Sequence, residues 1–233
     1  MQLAIIRIPS ADVELIRVRG DFAYPWHSHT RHWVLGAVAA GSCTVETSEA
    51  TRRPTSFAIP PLTGHALAMT PGAMVITVTV GPETLRGFGA DATEKAIRDA
   101  AVQAGWSATW LASLTPAFAE AAAAEPVRSQ LVTRLLSEVV DADADPTVPE
   151  VAAMFGMSPA YLSRVCAAST GLPPHRLLMQ HRLRRAQAYL ADGMTPADAG
   201  HLAGFYDQSH LSREFRRAVG VTPRSYQTIV DTV

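Results

Sequence analysis

The sequence has no run of about 18 apolar residues, the length a membrane-spanning helix needs, so no span is expected. Its first twenty residues include Arg7, Asp12, Glu14, Arg17 and Arg19, which interrupt the apolar stretch that a secretion signal requires. A cytoplasmic location is the resulting expectation. Cysteine is scarce: Cys43 and Cys166 lie in different halves and in no CxxC pattern. That argues against a disulfide framework or a cysteine-rich zinc site, and for two buried free thiols in a reducing compartment. No Ser-His-Asp or Cys-His arrangement is readable along the chain. No enzymatic activity is expected and no catalytic residue is nominated.

Lysine is missing from residues 146–233, where nine arginines face six acids for a net charge of +3. Residues 1–145 carry −4, so the overall −1 hides an asymmetry. A mildly basic half suits a polyanionic partner, although many domains carry a charge of this size.

Three regions follow along the chain. Residues 1–92 read as β: short apolar runs at Leu3–Ile8, Trp33–Ala40 and Met74–Val80 are separated by Pro, Gly and Ser clusters. Many short strands with intervening turns suggest a sandwich or barrel. Residues 93–141 read as helix, rich in alanine and punctuated by Gly105, Pro116 and Pro126. Val127, Leu131, Val132, Leu135, Leu136, Val139 and Val140 make one apolar stripe. Two roles fit it, packing on the β-region and forming a homodimer. The acidic, proline-ended stretch Asp141–Pro146 is the expected boundary, and residues 142–233 form the third region.

That third region contains an internal duplication. Thr147-Val-Pro-Glu150 and Thr195-Pro-Ala-Asp198 are 48 residues apart, each a hydroxyl N-cap with an acid three positions on. Gly156 and Gly204 keep the same offset, where each first helix should stop and turn. Thereafter the offset is 49: Ser158 matches Asp207, Leu162-Ser-Arg164 matches Leu211-Ser-Arg213, and Gly171-Leu-Pro-Pro174 matches Gly220-Val-Thr-Pro223. The added residue falls in the turn, where insertions are tolerated. Each copy reads helix, glycine turn, helix, the helix-turn-helix pattern, with Ala152 and Gly200 as the small residues at the crossings. Between the copies, Met179, Leu183, Ala186 and Leu190 form a stripe on a helix spanning Pro174–Leu190. At about 1.5 Å per residue this is a spacer of roughly 25 Å. It could hold two recognition helices near successive major grooves, about 34 Å apart.

These motifs, together with Arg182-Leu-Arg-Arg-Ala186, Gly204-Phe-Tyr-Asp-Gln-Ser-His210, Phe215-Arg-Arg217 and Gly220-Val-Thr-Pro-Arg-Ser-Tyr226, resemble the C-terminal domain of the AraC/XylS family of bacterial transcription regulators. The resemblance covers about residues 147–227. It implies sequence-specific binding to double-stranded promoter DNA and contact with RNA polymerase. Carried onto this sequence, it places Ala160, Ser163 and Arg164 on the first recognition helix as candidates to face bases. On the second it places Gln208, Ser209, Ser212 and Arg213, with Arg216 and Arg217 as candidates for phosphate. Gln suits adenine and Arg suits guanine, while phosphate remains an equal reading for Arg164 and Arg213.

His27-Ser-His29 and the later Pro60-Pro-Leu-Thr-Gly-His65 resemble a cupin-like sensor domain of the kind that often precedes this DNA-binding domain. The implied fold class is α+β: a cupin-like β-barrel followed by helices, then an all-α domain with two helix-turn-helix units on a linker helix. In metal-binding cupins three histidines converge with a glutamate. His27, His29 and His65 fit the histidines, but Thr30-Arg-His-Trp-Val34 supplies no glutamate, leaving His32 as the available substitute. Three imidazoles with an open position suit Zn²⁺ or another divalent transition metal. The alternative is a set lining an organic-effector pocket, walled by Phe22, Tyr24, Trp26, Trp33 and Phe57, or simply hydrogen-bonded. The leading expectation is a regulator controlled by a small-molecule or metal effector in the barrel. The rival is a metal-dependent cupin enzyme tethered to a DNA-binding domain, which the missing glutamate disfavours.

Overall fold

The computed structural model describes residues 2–8, 12–29, 32–81, 84–85, 92–103, 105–123 and 145–232. The stripe from Val127 to Val140, read above as a packing or dimer helix, lies outside them.

Among the described residues nine strands come first: β1 (Gln2–Ile8), β2 (Val13–Arg19), β3 (Ala23–His27), β4 (Trp33–Ala40), β5 (Cys43–Thr47), β6 (Thr51–Arg52), β7 (Ser56–Ile59), β8 (His65–Met69) and β9 (Met74–Val80). Together with a C-terminal strand β10 (Val230–Thr232) they form a six-stranded sheet ordered β10-β1-β2-β9-β4-β7 and a four-stranded sheet ordered β3-β8-β5-β6. Two sheets of this make are compatible with the expected cupin-like barrel. Alternation along β2 shows why two faces need burying. Val13 and Leu15 point to one side, while Glu14 and Ile16 point to the other. The first side is covered by helices α1 (Ala92–Gln103), α2 (Ala108–Ala112) and α3 (Thr115–Ala123). Ile97, Trp106, Leu114 and Phe118 pack there against Leu15, Leu35, Ile76 and Val78. On the other side, Val18, Val34 and Val75 meet Val45, Leu67 and Met69 of the smaller sheet. Cys43 and Cys166 are buried free thiols, as expected, and burial pushes both up to about 11.

The duplicated region folds into α4 (Val148–Met154), α5 (Pro159–Thr170), α6 (Pro174–Ala191), α7 (Pro196–Leu202), α8 (Gln208–Val219) and α9 (Pro223–Ile229). The helix starts predicted from hydroxyl and acidic caps are present. Thr147 and Glu150 make a full capping box, and Ser158, Thr195 and Asp207 each accept the backbone N–H three residues on. A cap of this kind is worth about 1 kcal/mol. Gly156 and Gly204 both take left-handed backbone, with φ of +62° and +84°.

The spacer helix α6 divides its apolar residues between the two copies. Leu177 and Leu178 join Val151, Ala152, Leu162 and Cys166 in the core of the first unit. Leu183, Ala186 and Leu190 join Ala199, Leu211, Phe215 and Tyr226 in that of the second. At Gly200 an added Cβ would lie 3.2 Å from the Leu211 side chain, which explains the small residue at that crossing.

The β-sandwich is docked on both units. Leu62, held at φ +67°, enters the core of the first, beside Trp26. Ile5 enters the core of the second. A short strand β10 (Val230–Thr232) then pairs in parallel with β1, through Ile5 and Val230, Ile6 and Asp231, and Arg7 and Thr232. At the end of the acidic boundary stretch, Asp145 Oδ1 accepts from Arg182 Nε at 2.5 Å.

Candidate functional site

The two helix-turn-helix units present their second helices, α5 and α8, with exposed N-terminal halves. Burial of Leu162 and Cys166 on α5, and of Leu211, Phe215 and Val219 on α8, sets which side is turned outward. Of the expected DNA contacts, Ala160 and Arg164 on α5 and Gln208, Ser209, Arg213, Arg216 and Arg217 on α8 are exposed, and Ser163 and Ser212 are half-buried. Arg217 also lines a cavity described below, which sets it apart from Arg213 and Arg216. Arg164 lies over the Tyr161 ring at 5.7 Å. Tyr161 is 46% exposed and Tyr206, in the turn before α8, is 92% exposed. Aromatic rings left in water beside a recognition helix are candidate contacts that the sequence reading passed over.

Not all the arginines of this half face outward. Arg176 pairs with Glu214 at 3.5 Å, Arg182 with Asp145, and Arg185 donates to the Leu202 carbonyl at 2.8 Å. These three brace α6. Arg184 does something different.

Arg184 leaves α6 toward the β-sandwich and reaches the histidines. His27 ends β3 and His65 begins β8, and the two are direct cross-strand partners. Their rings lie 4.2 Å apart between centroids. The strand stops at His27, and His29 follows it in the loop. Its ring still comes within 5.2 Å of His27 and 5.6 Å of His65. One ring nitrogen from each histidine lies within 4.8 Å of those of the others.

The hydrogen bonds fix the proton on each ring. His27 Nδ1 sits 2.7 Å from the Pro25 carbonyl and His65 Nδ1 sits 2.9 Å from that of Thr63. A carbonyl only accepts, so both rings carry hydrogen on Nδ1 and a lone pair on Nε2. His65 Nε2 is buried with no hydrogen-bond partner among the described residues. His29 is the reverse case. Its Nδ1 lies 3.1 Å from Arg184 Nη2, and a guanidinium only donates, so the lone pair is on Nδ1 and the hydrogen on Nε2. Arg184 Nη1 meets His32 Nδ1 at 3.1 Å in the same sense, and His32 Nε2 lies 2.8 Å from Asp12. His32, weighed as a substitute ligand, is thus engaged by Arg184 and Asp12 and stands outside the convergent trio.

Burial holds all three histidines in the neutral form. It lowers His27; at His29 it acts with the nearby Arg184 charge, taking the ring well below its ordinary value; at His65 it acts with His27, bringing it to about 3. Neutral imidazoles are the form that binds metal. The donor set fits a divalent transition ion at two rings as they stand, and at the third only after a change.

Beside the histidines is a cavity of about 130 Å³, lined by Glu14, Ile16, Tyr24 and Thr79 from the strands and by Met179, Gln180, Leu183 and Gln187 from α6. It is therefore walled by both halves of the molecule. Of the residues expected to wall it, Tyr24 and Trp26 do so. Trp33 and Phe57 belong to the closed cores of the β-region, and Phe22 packs at the edge of one of them. Pocket organic ligands ordinarily occupy roughly 300 Å³ or more, so a large effector needs these walls to part. Gln180 also anchors α6 to the strand end. In the orientation that satisfies both ends of its amide, it accepts from the Ser28 N–H at 3.1 Å and donates to the Ser28 carbonyl at 2.7 Å.

Comparison with known proteins agrees with the helical half. The family of helix-turn-helix domains matches residues 151–229. The transcriptional activator NphR of a Rhodococcus species is 34% identical over 119 residues, 49% of this chain and 35% of that protein. The transcriptional regulator VirS of Mycobacterium tuberculosis is 38% identical over 78 residues, 33% of this chain and 23% of that protein. The chain thus spans about a third or less of the length of these curated relatives. Among solved structures, ToxT of Vibrio cholerae with a bound unsaturated fatty acid matches at a TM-score of 0.61 and 12% identity, covering 93% of this chain and 94% of that one. That likeness is one of overall fold.

Proposed function

We propose that this protein, whose residues 151–229 match a helix-turn-helix domain family and resemble the AraC/XylS regulators in sequence, binds promoter DNA in a sequence-dependent way and regulates transcription without an enzymatic step. The observation that carries the reading is the pair of capped helices α5 and α8, braced on α6 with Arg164 and Arg213 exposed. Promoter DNA and RNA polymerase are the proposed partners, and the cytoplasm the proposed location; no helix among the described residues is long and apolar enough to cross a membrane. Fluorescence anisotropy on DNA upstream of its own gene, against scrambled duplex over a range of salt, tests this. Saturable binding that prefers the upstream DNA is expected, and equal affinity for both duplexes at every salt concentration overturns it.

Control enters at the join between the β-sandwich and α6. The effector is proposed to be a divalent transition metal at His27, His29 and His65, or a small organic molecule in the adjoining cavity. ToxT, of similar fold, holds an unsaturated fatty acid, which makes an apolar effector a reasonable second reading for a cavity bordered by Ile16, Met179 and Leu183. A tethered cupin enzyme finds no support in a histidine trio that lacks the carboxylate.

A further inference from the structure

We propose that a divalent transition metal and Arg184 compete for His29, so that filling the histidine site releases the spacer helix from the β-sandwich. The inference rests on the metal reading of the effector and adds how the signal leaves the site.

The argument is one of lone pairs. A neutral imidazole has a single in-plane lone pair. His27 and His65 have theirs on Nε2, because Pro25 and Thr63 hold the Nδ1 hydrogens. Those second contacts orient the rings and fix their tautomers, as the outer partners of metal-binding histidines commonly do. His65 Nε2 is buried and unsatisfied by any group among the described residues, which is costly unless something occupies the site. His29 has spent its lone pair on Arg184. A metal taken at His29 Nδ1 displaces the guanidinium directly. A metal taken at Nε2 requires the hydrogen to move to Nδ1, where it confronts the Arg184 N–H. Either route breaks the 3.1 Å bond, and it also sets a divalent cation beside a guanidinium cation.

The released group is not a surface side chain. Arg184 lies on α6 beside Leu183 and Ala186, which belong to the core of the second helix-turn-helix unit. Its other donor is on His32, which in turn meets Asp12. The same helix is tied to Ser28 through Gln180, one residue from His29. Losing the Arg184 contacts therefore removes a principal polar tie between the sensor half and the helix that sets the two recognition helices apart.

The test uses the full chain with Zn²⁺ and Co²⁺ as probes, in the wild type and in Arg184→Met, which keeps an apolar stem and removes the donors. Calorimetry should give zinc affinity about tenfold tighter in Arg184→Met, since the competitor for His29 is gone. In the wild type alone, zinc should raise hydrogen exchange in α6 around residues 180–190, and the Co²⁺ complex should show the visible absorption of a tetrahedral site. Equal zinc affinity in the two proteins, or zinc that leaves exchange in α6 unchanged, overturns the competition while leaving the metal site intact. Absence of zinc binding from both proteins overturns the metal reading itself. The wild-type exchange measurement decides the matter if Arg184→Met does not fold.

Discussion

Tyr226 of α9 donates its hydroxyl to Glu14 of β2 across 3.3 Å, joining positions 212 residues apart in the chain. Tyr226 is fully buried. Burial and the Glu14 charge both raise its ionisation far above the ordinary tyrosine range, so the ring stays protonated and remains a donor. Glu14 is also 3.7 Å from Arg7. Tyr226→Phe keeps the ring packed on Phe215 and removes only the hydroxyl. It should cost about 1.5–3 kcal/mol, as for other hydrogen bonds to charged groups. Urea unfolding followed by circular dichroism reads this. An unchanged midpoint means that the two halves are not joined there.

Arg213→Ala distinguishes base reading from phosphate contact. Reading a base should cost about 1–3 kcal/mol on the specific duplex and little on scrambled DNA. Contact with phosphate should weaken both equally and lower the salt slope by about one. Anisotropy on the two duplexes at several salt concentrations separates these. Wild-type affinity for both removes Arg213 from the interface.

Gly200→Val probes the second crossing. Even a single added carbon there lies 3.2 Å from the Leu211 side chain, and valine adds two more. Overpacking of this kind costs about 1–3 kcal/mol, and here it also displaces α8. DNA affinity should fall together with the melting temperature. Full DNA affinity in the variant is the outcome that contradicts the crossing geometry.

Leu62→Ala removes the β-region's wedge from the first unit. The side chain is 6% exposed among Val151, Leu162 and Leu177. A large-to-small change in such a core costs about 2–5 kcal/mol. Trp26 packs against the same cluster, so its fluorescence should shift as the contact loosens. A variant as stable as the wild type, with unaltered fluorescence, shows that Leu62 is not seated there.

Much of the helical half was legible because local signals and tertiary packing agree there. The Thr147, Ser158, Thr195 and Asp207 caps and the turns at Gly156 and Gly204 are properties of short stretches repeated twice. The division of α6 between two cores was not legible: the stripe Met179, Leu183, Ala186 and Leu190 serves the second unit alone, and Leu177 and Leu178 serve the first. The three histidines were nominated from the resemblance to a cupin-like domain, and the structure gathers them, although His29 arrives from a loop and not from the strand. Arg184 was invisible at that stage. It is one arginine in Arg182-Leu-Arg-Arg-Ala186, and only the packing of α6 on the strand ends separates it from Arg182 and Arg185, which bond elsewhere. Leu62 was equally hidden: an apolar residue between prolines and glycine reads as loop until its contacts are known. The cavity was sought inside the β-region, and the helix that closes it comes from a stretch about 150 residues further on.

Because Leu62 sits in the core of one helix-turn-helix unit and Ile5 in that of the other, the β-sandwich is placed, on the proposed DNA-binding reading, to serve as a jig for the spacing between α5 and α8. A helical turn of DNA is about 10 base pairs and 34 Å long, so half-sites moved apart by even a few base pairs present their edges around the side of the duplex. The spacer tolerance of the operator therefore becomes a ruler for the state of the jig. On that reading a clamped molecule is expected to accept one separation, and one whose grip has been relaxed to accept several.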